Sequence, residues 1–220
     1  MIFNRYFNLA LSATSLAKVG LVLSLFLVLA IATVSAPGWC GDETTQQQDL
    51  TALKEIDVQL RRKPGDVTLL CKHAEMMGRL HRYDDEVKEA SEIIKSNPRS
   101  RDAFLIQAHG FGNLERSADA IKSLDTAFSL GAPTPELLVL KATHLRREKR
   151  YAEAVKILSK VIDEHPDYSA AYDCRSVCYY RLYGPCKLAL DDLEHESRLE
   201  PQNEETKKLI QELKRKLATP

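Results

Sequence analysis

The chain has 220 residues, enough for one compact domain beside a targeting segment. Hydrophobic residues make up 44%, well above a disordered composition, and no low-complexity tract interrupts the mixed charges. Basic and acidic side chains balance at 31 each, and beyond residue 36 the count is 29 against 31, so nucleic acid is not an expected ligand.

The first element is apolar. Residues 19–41 carry no charge, and residues 20–34 are almost wholly hydrophobic. Arg5 and Lys18 precede this stretch while Asp42 and Glu43 come after it, a polarity that keeps the N-terminus in the cytoplasm and sends later residues across the membrane. Residues 1–41 are therefore read as a signal peptide or signal anchor. As a helix, residues 19–36 would reach roughly 27 Å at about 1.5 Å per residue, close to the ~30 Å hydrocarbon core, so an uncleaved segment would tether the chain to the membrane. Cleavage after Ala32 or Gly38 is the favoured reading. Cys40 does not suit lipid attachment, because Trp39 occupies a position that requires a small residue. Either outcome places the remainder outside the cytoplasm, as a periplasmic, secreted or membrane-anchored protein.

A repeat dominates the rest of the chain. Ala74, Ala108, Ala142 and Ser176 form a column of small residues spaced by 34. Leu70, Phe104, Leu138 and Tyr172 keep the same period, as do Met77, Phe111, Leu145 and Tyr179. Ahead of the first full unit, Ala52, Ile56, Leu60 and Pro64 suit the second helix of a half repeat over 42–65. The four units then run over 67–98, 101–133, 135–166 and 169–201, together 66–202. Each reads as two helices. In the third, Leu138, Ala142 and Leu145 share one face of a first helix, and Ala154, Leu158, Val161 and Ile162 share one face of a second. Thr134 and Pro135 are a start signal, and Pro166 stops the second helix. In the final segment, 203–220, Asn203 is placed to cap a helix whose stripe is Leu209, Ile210, Leu213 and Leu217 and whose other face is charged, as a solvating end cap requires.

These columns resemble the tetratricopeptide repeat. The third unit carries the pattern as Leu138, Ala142, Leu145, Tyr151, Ala154, Leu158 and Pro166, and the others carry most of it over roughly residues 50–217. The resemblance implies an all-α, right-handed superhelical solenoid of helix-turn-helix repeats, preceded here by the hydrophobic signal or anchor helix. Two positions depart from it. Glu86 stands where the next two units have Ala120 and Ala154, so the first pair is expected to be looser or shifted until Val87 faces inward. The fourth unit holds an extra residue around Tyr183, Gly184 and Pro185, which delays its second helix.

The resemblance also implies that the first helices line a concave groove. Groove candidates are Arg79, Leu105, His109, Asn113, Val139, Arg146, Arg147, Tyr180 and Arg181. Arg79, Asn113, Arg147 and Arg181 recur every 34 residues, and guanidinium forks in a row would suit a carboxylate-bearing peptide; the alternative is solvated arginine beside a turn. Leu105, Ile106, Val139 and Leu140 are either a groove floor or core. The Lys and Asn carboxylate clamp of some family members is missing, since Cys71, Glu75, Leu105 and His109 hold those places.

Two cysteines flanking the last intra-repeat turn, Cys178 and Cys186, suit a disulfide staple in an exported protein. The competing class is a metal- or thiol-dependent protein using Cys174, Cys178 and Cys186, with His195 as a further ligand, but the tight Cys-x2-Cys spacing of zinc sites is missing. No phosphate loop, zinc-protease helix or nucleophile elbow occurs, so neither catalysis nor a cofactor is expected. The expected function is a scaffold that binds a partner protein or peptide, with a self-associating envelope component, such as a homo-oligomer, as the alternative.

Overall fold

The computed structural model describes residues 40–218, and these contain ten α-helices and no strand. The apolar stretch expected to be a signal or anchor lies outside the described residues. Among the described residues, no helix is long and apolar enough to cross a membrane. From Asp49 onward the chain forms one compact unit. The leading helix α1 spans Cys40–Arg62. Four helix pairs come next: α2 (Val67–Arg79) with α3 (Tyr83–Ser96), α4 (Arg101–Asn113) with α5 (Ser117–Leu130), α6 (Pro135–Arg147) with α7 (Tyr151–Glu164), and α8 (Ser169–Tyr183) with α9 (Lys187–Leu199). The terminal helix α10 spans Glu204–Ala218.

Local chemistry sets the helix ends, and it repeats with the same period as the core. Asp66 accepts from the Thr68 and Leu69 amides at 3.1 and 3.2 Å, Ser100 from Ala103 at 3.4 Å, and Asn203 from Thr206 at 3.3 Å. Thr134 departs from expectation: it stands at the N-cap, but its side chain bonds no backbone amide, and Pro135 starts α6. The first helices of units one to three end in the same motif. His81, Glu115 and Lys149 take positive φ of 58°, 59° and 60°. Behind them the amides of Arg82, Arg116 and Arg150 reach back to the carbonyls of Met77, Phe111 and Leu145 at 2.8–2.9 Å. The fourth unit uses Gly184 at φ 72° instead, and its second helix begins late, at Lys187.

The small-residue column lies where expected: Ala74, Ala108 and Ala142 are fully buried and Ser176 nearly so. Larger side chains there would push the paired helices apart. Three clusters make the core, the largest built on Leu145, Leu158, Val161 and Tyr172 between units three and four. Glu86 corrects an expectation. The first pair is not shifted to bring Val87 inward; Glu86 itself is buried, with 2% of its surface exposed. Glycines make the room. A Cβ at Gly78 would stand 2.6 Å from the Glu86 carboxylate, and one at Gly110 would meet Val87 at 2.6 Å and Glu86 at 3.2 Å.

A polar ladder threads the stack. His73, Gln107, Lys141 and Arg175 are spaced by 34, and each reaches a residue of the preceding unit: Asp57, Ser91, Asp125 and Ser159, also spaced by 34. Three of them also bond their own second helix. His73 meets Glu89 at 2.6 Å, Gln107 accepts from Ser123 at 2.7 Å, and Arg175 grips Asp192 with two bonds of 2.9 and 2.7 Å. Each rung differs in charge and shape, so a mispaired stack would leave part-buried polar groups without partners.

Candidate functional site

The first helices α2 and α4 touch each other directly, as do α6 and α8, so these helices share one side of the stack. That side holds the groove candidates, but the structure uses many of them internally. Arg79 pairs with Asp49 of α1. Asn113 lies 3.2 Å from the His109 ring nitrogen and donates to the His109 carbonyl at 3.0 Å, and Arg147 donates to the Gly112 carbonyl at 3.2 Å. The arginine column is therefore not a continuous ladder awaiting a ligand. Ile106 belongs to the core, Val139 packs against it, and Leu105 is half-buried, while Leu140 is exposed.

His109 and Glu86 form the groove's main electrostatic feature. The exposed imidazole donates from Nδ1 to Glu86 Oε1 at 2.8 Å, and the edge of the Tyr83 ring faces it at 6.2 Å. This bond to the carboxylate, opposed by burial, pushes the His109 pKa up. The second carboxylate oxygen, Oε2, is buried without a hydrogen-bond partner among the described residues. Further along, burial pushes the His144 imidazole down; it fits against Gly112, where a Cβ would stand 2.7 Å away.

Tyr180 and Arg181 are brought together with residues that the repeat pattern did not single out. Between α8, α9 and α10 lies a cavity of about 290 Å³, lined by Val177, Tyr180, Arg181, Leu193, Leu209 and Leu213 among others. Its walls are mainly apolar. Lys216 crosses its rim, bonding Glu212 at 2.6 Å and the Tyr180 hydroxyl at 3.2 Å. Tyr180 and Leu209 line it and remain exposed. The end cap thus does more than cover the last repeat: Leu209 and Leu217 of its stripe stay in solvent.

The cysteines do not form the expected staple. Cys178 and Cys186 are both free. Cys178 is buried in the cluster between units three and four, whereas Cys186 packs with Ala189, Leu193 and Leu213 on the far side of α8. Cys178 instead meets Cys174 one helical turn back. Interaction between the two thiols lowers the Cys174 pKa to about 7 and pushes Cys178 up. His195 stacks on Tyr172 at 4.3 Å and takes no part in this cluster. Among the described residues, no three ligating side chains converge as a metal centre.

The sequence matches no family model and no curated protein. Its architecture does match solved structures. The crystal structure of MamA is similar at 15% identity and a TM-score of 0.64, over 74% of this chain and 95% of that one. YrrB, described as a TPR protein with an unusual peptide-binding site, is similar at 11% identity and a TM-score of 0.61, over 69% and 77%. TTC0263, a thermophilic TPR protein of Thermus thermophilus, is similar at 12% identity and a TM-score of 0.57, over 78% and 93%. The chain has the tetratricopeptide-repeat fold. Within that fold, the wall that α10 adds to the cavity was not legible from the repeat columns, because α10 lies outside them. The polar ladder was legible in principle, since His73, Gln107, Lys141 and Arg175 keep the period, but the four residue types differ and hide it.

Proposed function

We propose that the chain is a protein-interaction scaffold that binds a segment of a partner protein at the α8 end of the groove. The observation that carries this reading is the cavity under Tyr180, with its apolar lining and the exposed Tyr180 and Leu209 in its wall. Apolar side chains left in solvent around a concavity are costly unless a partner covers them. Arg181 lines the same cavity and supplies a positive charge beside it, suited to an acid in the bound segment. YrrB, a tetratricopeptide-repeat protein described as having a peptide-binding site, supports the same use of the scaffold. We place the scaffold outside the cytoplasm, exported or tethered, on the strength of the apolar residues 20–34 and the charges flanking them. Nothing in the reading requires a reaction or a cofactor.

The test is affinity capture from native membrane and soluble extracts with the wild-type chain and with a Tyr180→Ala, Leu209→Ala variant. Both substitutions are on exposed positions, so helicity by circular dichroism is expected to stay unchanged. A partner bound by the wild type and lost by the variant supports the reading. A partner retained by both moves the interface elsewhere.

A further inference from the structure

The turn between α8 and α9 differs from its three counterparts, and the repeat itself supplies the comparison. In units one to three the turn is charged and carries an ion pair: Arg82 with Asp85, Arg116 with Asp119, and Arg150 with Glu153. His81, Glu115 and Lys149 hold the left-handed position there. In unit four the 34-residue period brings Tyr183 to that place, but Gly184 takes the positive φ instead. Tyr183 is left in solvent, 64% exposed, more than any other large hydrophobic side chain among the described residues. Leu182 and Leu188 on either side of it are exposed too, as are Arg181, Pro185 and Lys187. No acid occurs between Asp173 and Asp191. Among the described residues neither Arg181 nor Lys187 pairs with a carboxylate.

We propose that the α8–α9 turn is a docking surface for an anionic lipid membrane. Charge complementarity selects this occupant. Arg181 and Lys187 are basic, carry no internal partner and have no acid beside them in the turn, so anionic headgroups attract them. Tyr183 suits the headgroup level, where an aromatic ring can keep its hydroxyl wet and its body in an apolar layer. Leu182 and Leu188 reach the same layer, and the Lys187 stem can lie along it while its ammonium stays at the lipid phosphates. A protein partner fits less well, because the centres of protein interfaces are depleted in lysine. The apolar residues 20–34 give the chain a separate route to a membrane, against which the turn would hold the solenoid. Tyr183, Lys187 and Leu188 do not line the cavity under Tyr180, so this surface stands apart from the proposed partner site.

The experiment reads tryptophan fluorescence of the full-length chain on vesicles of phosphatidylglycerol and brominated phosphatidylcholine, whose bromines quench a ring that enters the lipid. The chain has a single tryptophan, and Trp39→Phe removes it. In that background Tyr183→Trp puts a reporter on the turn, and Glu148→Trp puts one at the place in unit three that corresponds to Leu182. The reporter at 183 is expected to be quenched and the reporter at 148 to be unaffected. Quenching at 183 is expected to be lost on vesicles of brominated phosphatidylcholine alone and in the Lys187→Glu variant. An acid at the first position of α9 suits the helix dipole, so that variant is expected to keep its helicity by circular dichroism. Leu188→Trp serves as the turn reporter if Tyr183→Trp does not fold. No quenching on the turn, equal quenching at 148, or quenching that survives Lys187→Glu would overturn the proposal.

Discussion

Glu86 and His109 meet across the seam between the first and second repeats, where the imidazole Nδ1 donates to the buried carboxylate at 2.8 Å. An acid occupies a column otherwise filled by alanine because glycines on both neighbouring helices yield the volume. The pair ties α3 of one unit to α4 of the next, and it sets the charge of an exposed groove residue from within the core.

The glycine niche has a measurable consequence. In most helix interiors Gly→Ala is stabilising by up to about 1 kcal/mol. Gly78→Ala is expected to do the opposite, lowering stability by about 1–3 kcal/mol, because the new methyl would overlap the Glu86 carboxylate. In a Glu86→Ala background the same change is expected to become neutral or favourable. Chemical denaturation of the four proteins measures this coupling, and additive effects would disprove the contact.

A raised His109 pKa has a definite sign. Protonated His109 is favoured in the folded chain, so the pair's stabilisation is complete below the ordinary histidine value of 6.5 and fades as pH rises through the higher folded value. His144 works in the opposite direction, because burial favours its neutral form. Glu86→Gln leaves His144 untouched and is expected to lower the His109 midpoint, read by NMR from its ring proton. An unchanged midpoint would mean that the carboxylate does not control the imidazole.

The ladder rung at Arg175 is expected to matter more than any surface pair. Its side chain is 16% exposed and that of Asp192 only 6%. Removing one member leaves the other charge buried, a loss of about 3–5 kcal/mol. Thermal denaturation of Arg175→Ala is expected to show a large fall in Tm, whereas Arg150→Ala, which breaks the exposed pair with Glu153, is expected to change it little.

Lys149 holds a left-handed conformation that costs a side-chain-bearing residue about 1 kcal/mol or more. Lys149→Gly is expected to raise stability by about that amount, reduced by the extra freedom glycine brings to the unfolded chain. A loss of stability on denaturant titration would show that the Lys149 side chain contributes more than its strained backbone costs.

The repeat was legible because packing punishes size. Ala74, Ala108 and Ala142 sit where helices touch, and period 34 survives in them when little else does. The groove was less legible. Position alone marked Arg79 and Arg147 as free for a ligand, yet Asp49 and the Gly112 carbonyl take them, and both partners lie outside the residue's own repeat. Glu86 misled because its room comes from glycines on the helices before and after it, Gly78 and Gly110. The Cys178 and Cys186 spacing suggested a bridge, but Cys178 on α8 packs between units three and four while Cys186, at the start of α9, packs against Ala189, Leu193 and Leu213.

The most direct test of the scaffold reading is site-specific photocrosslinking from Tyr180, beside the cavity, and from Lys156, exposed on the second helix α7. A photoreactive side chain at Tyr180 is expected to yield a discrete adduct with one partner protein, and the same group at Lys156 is expected to yield none. Adducts from Lys156 alone, or equally from both positions, would contradict the account.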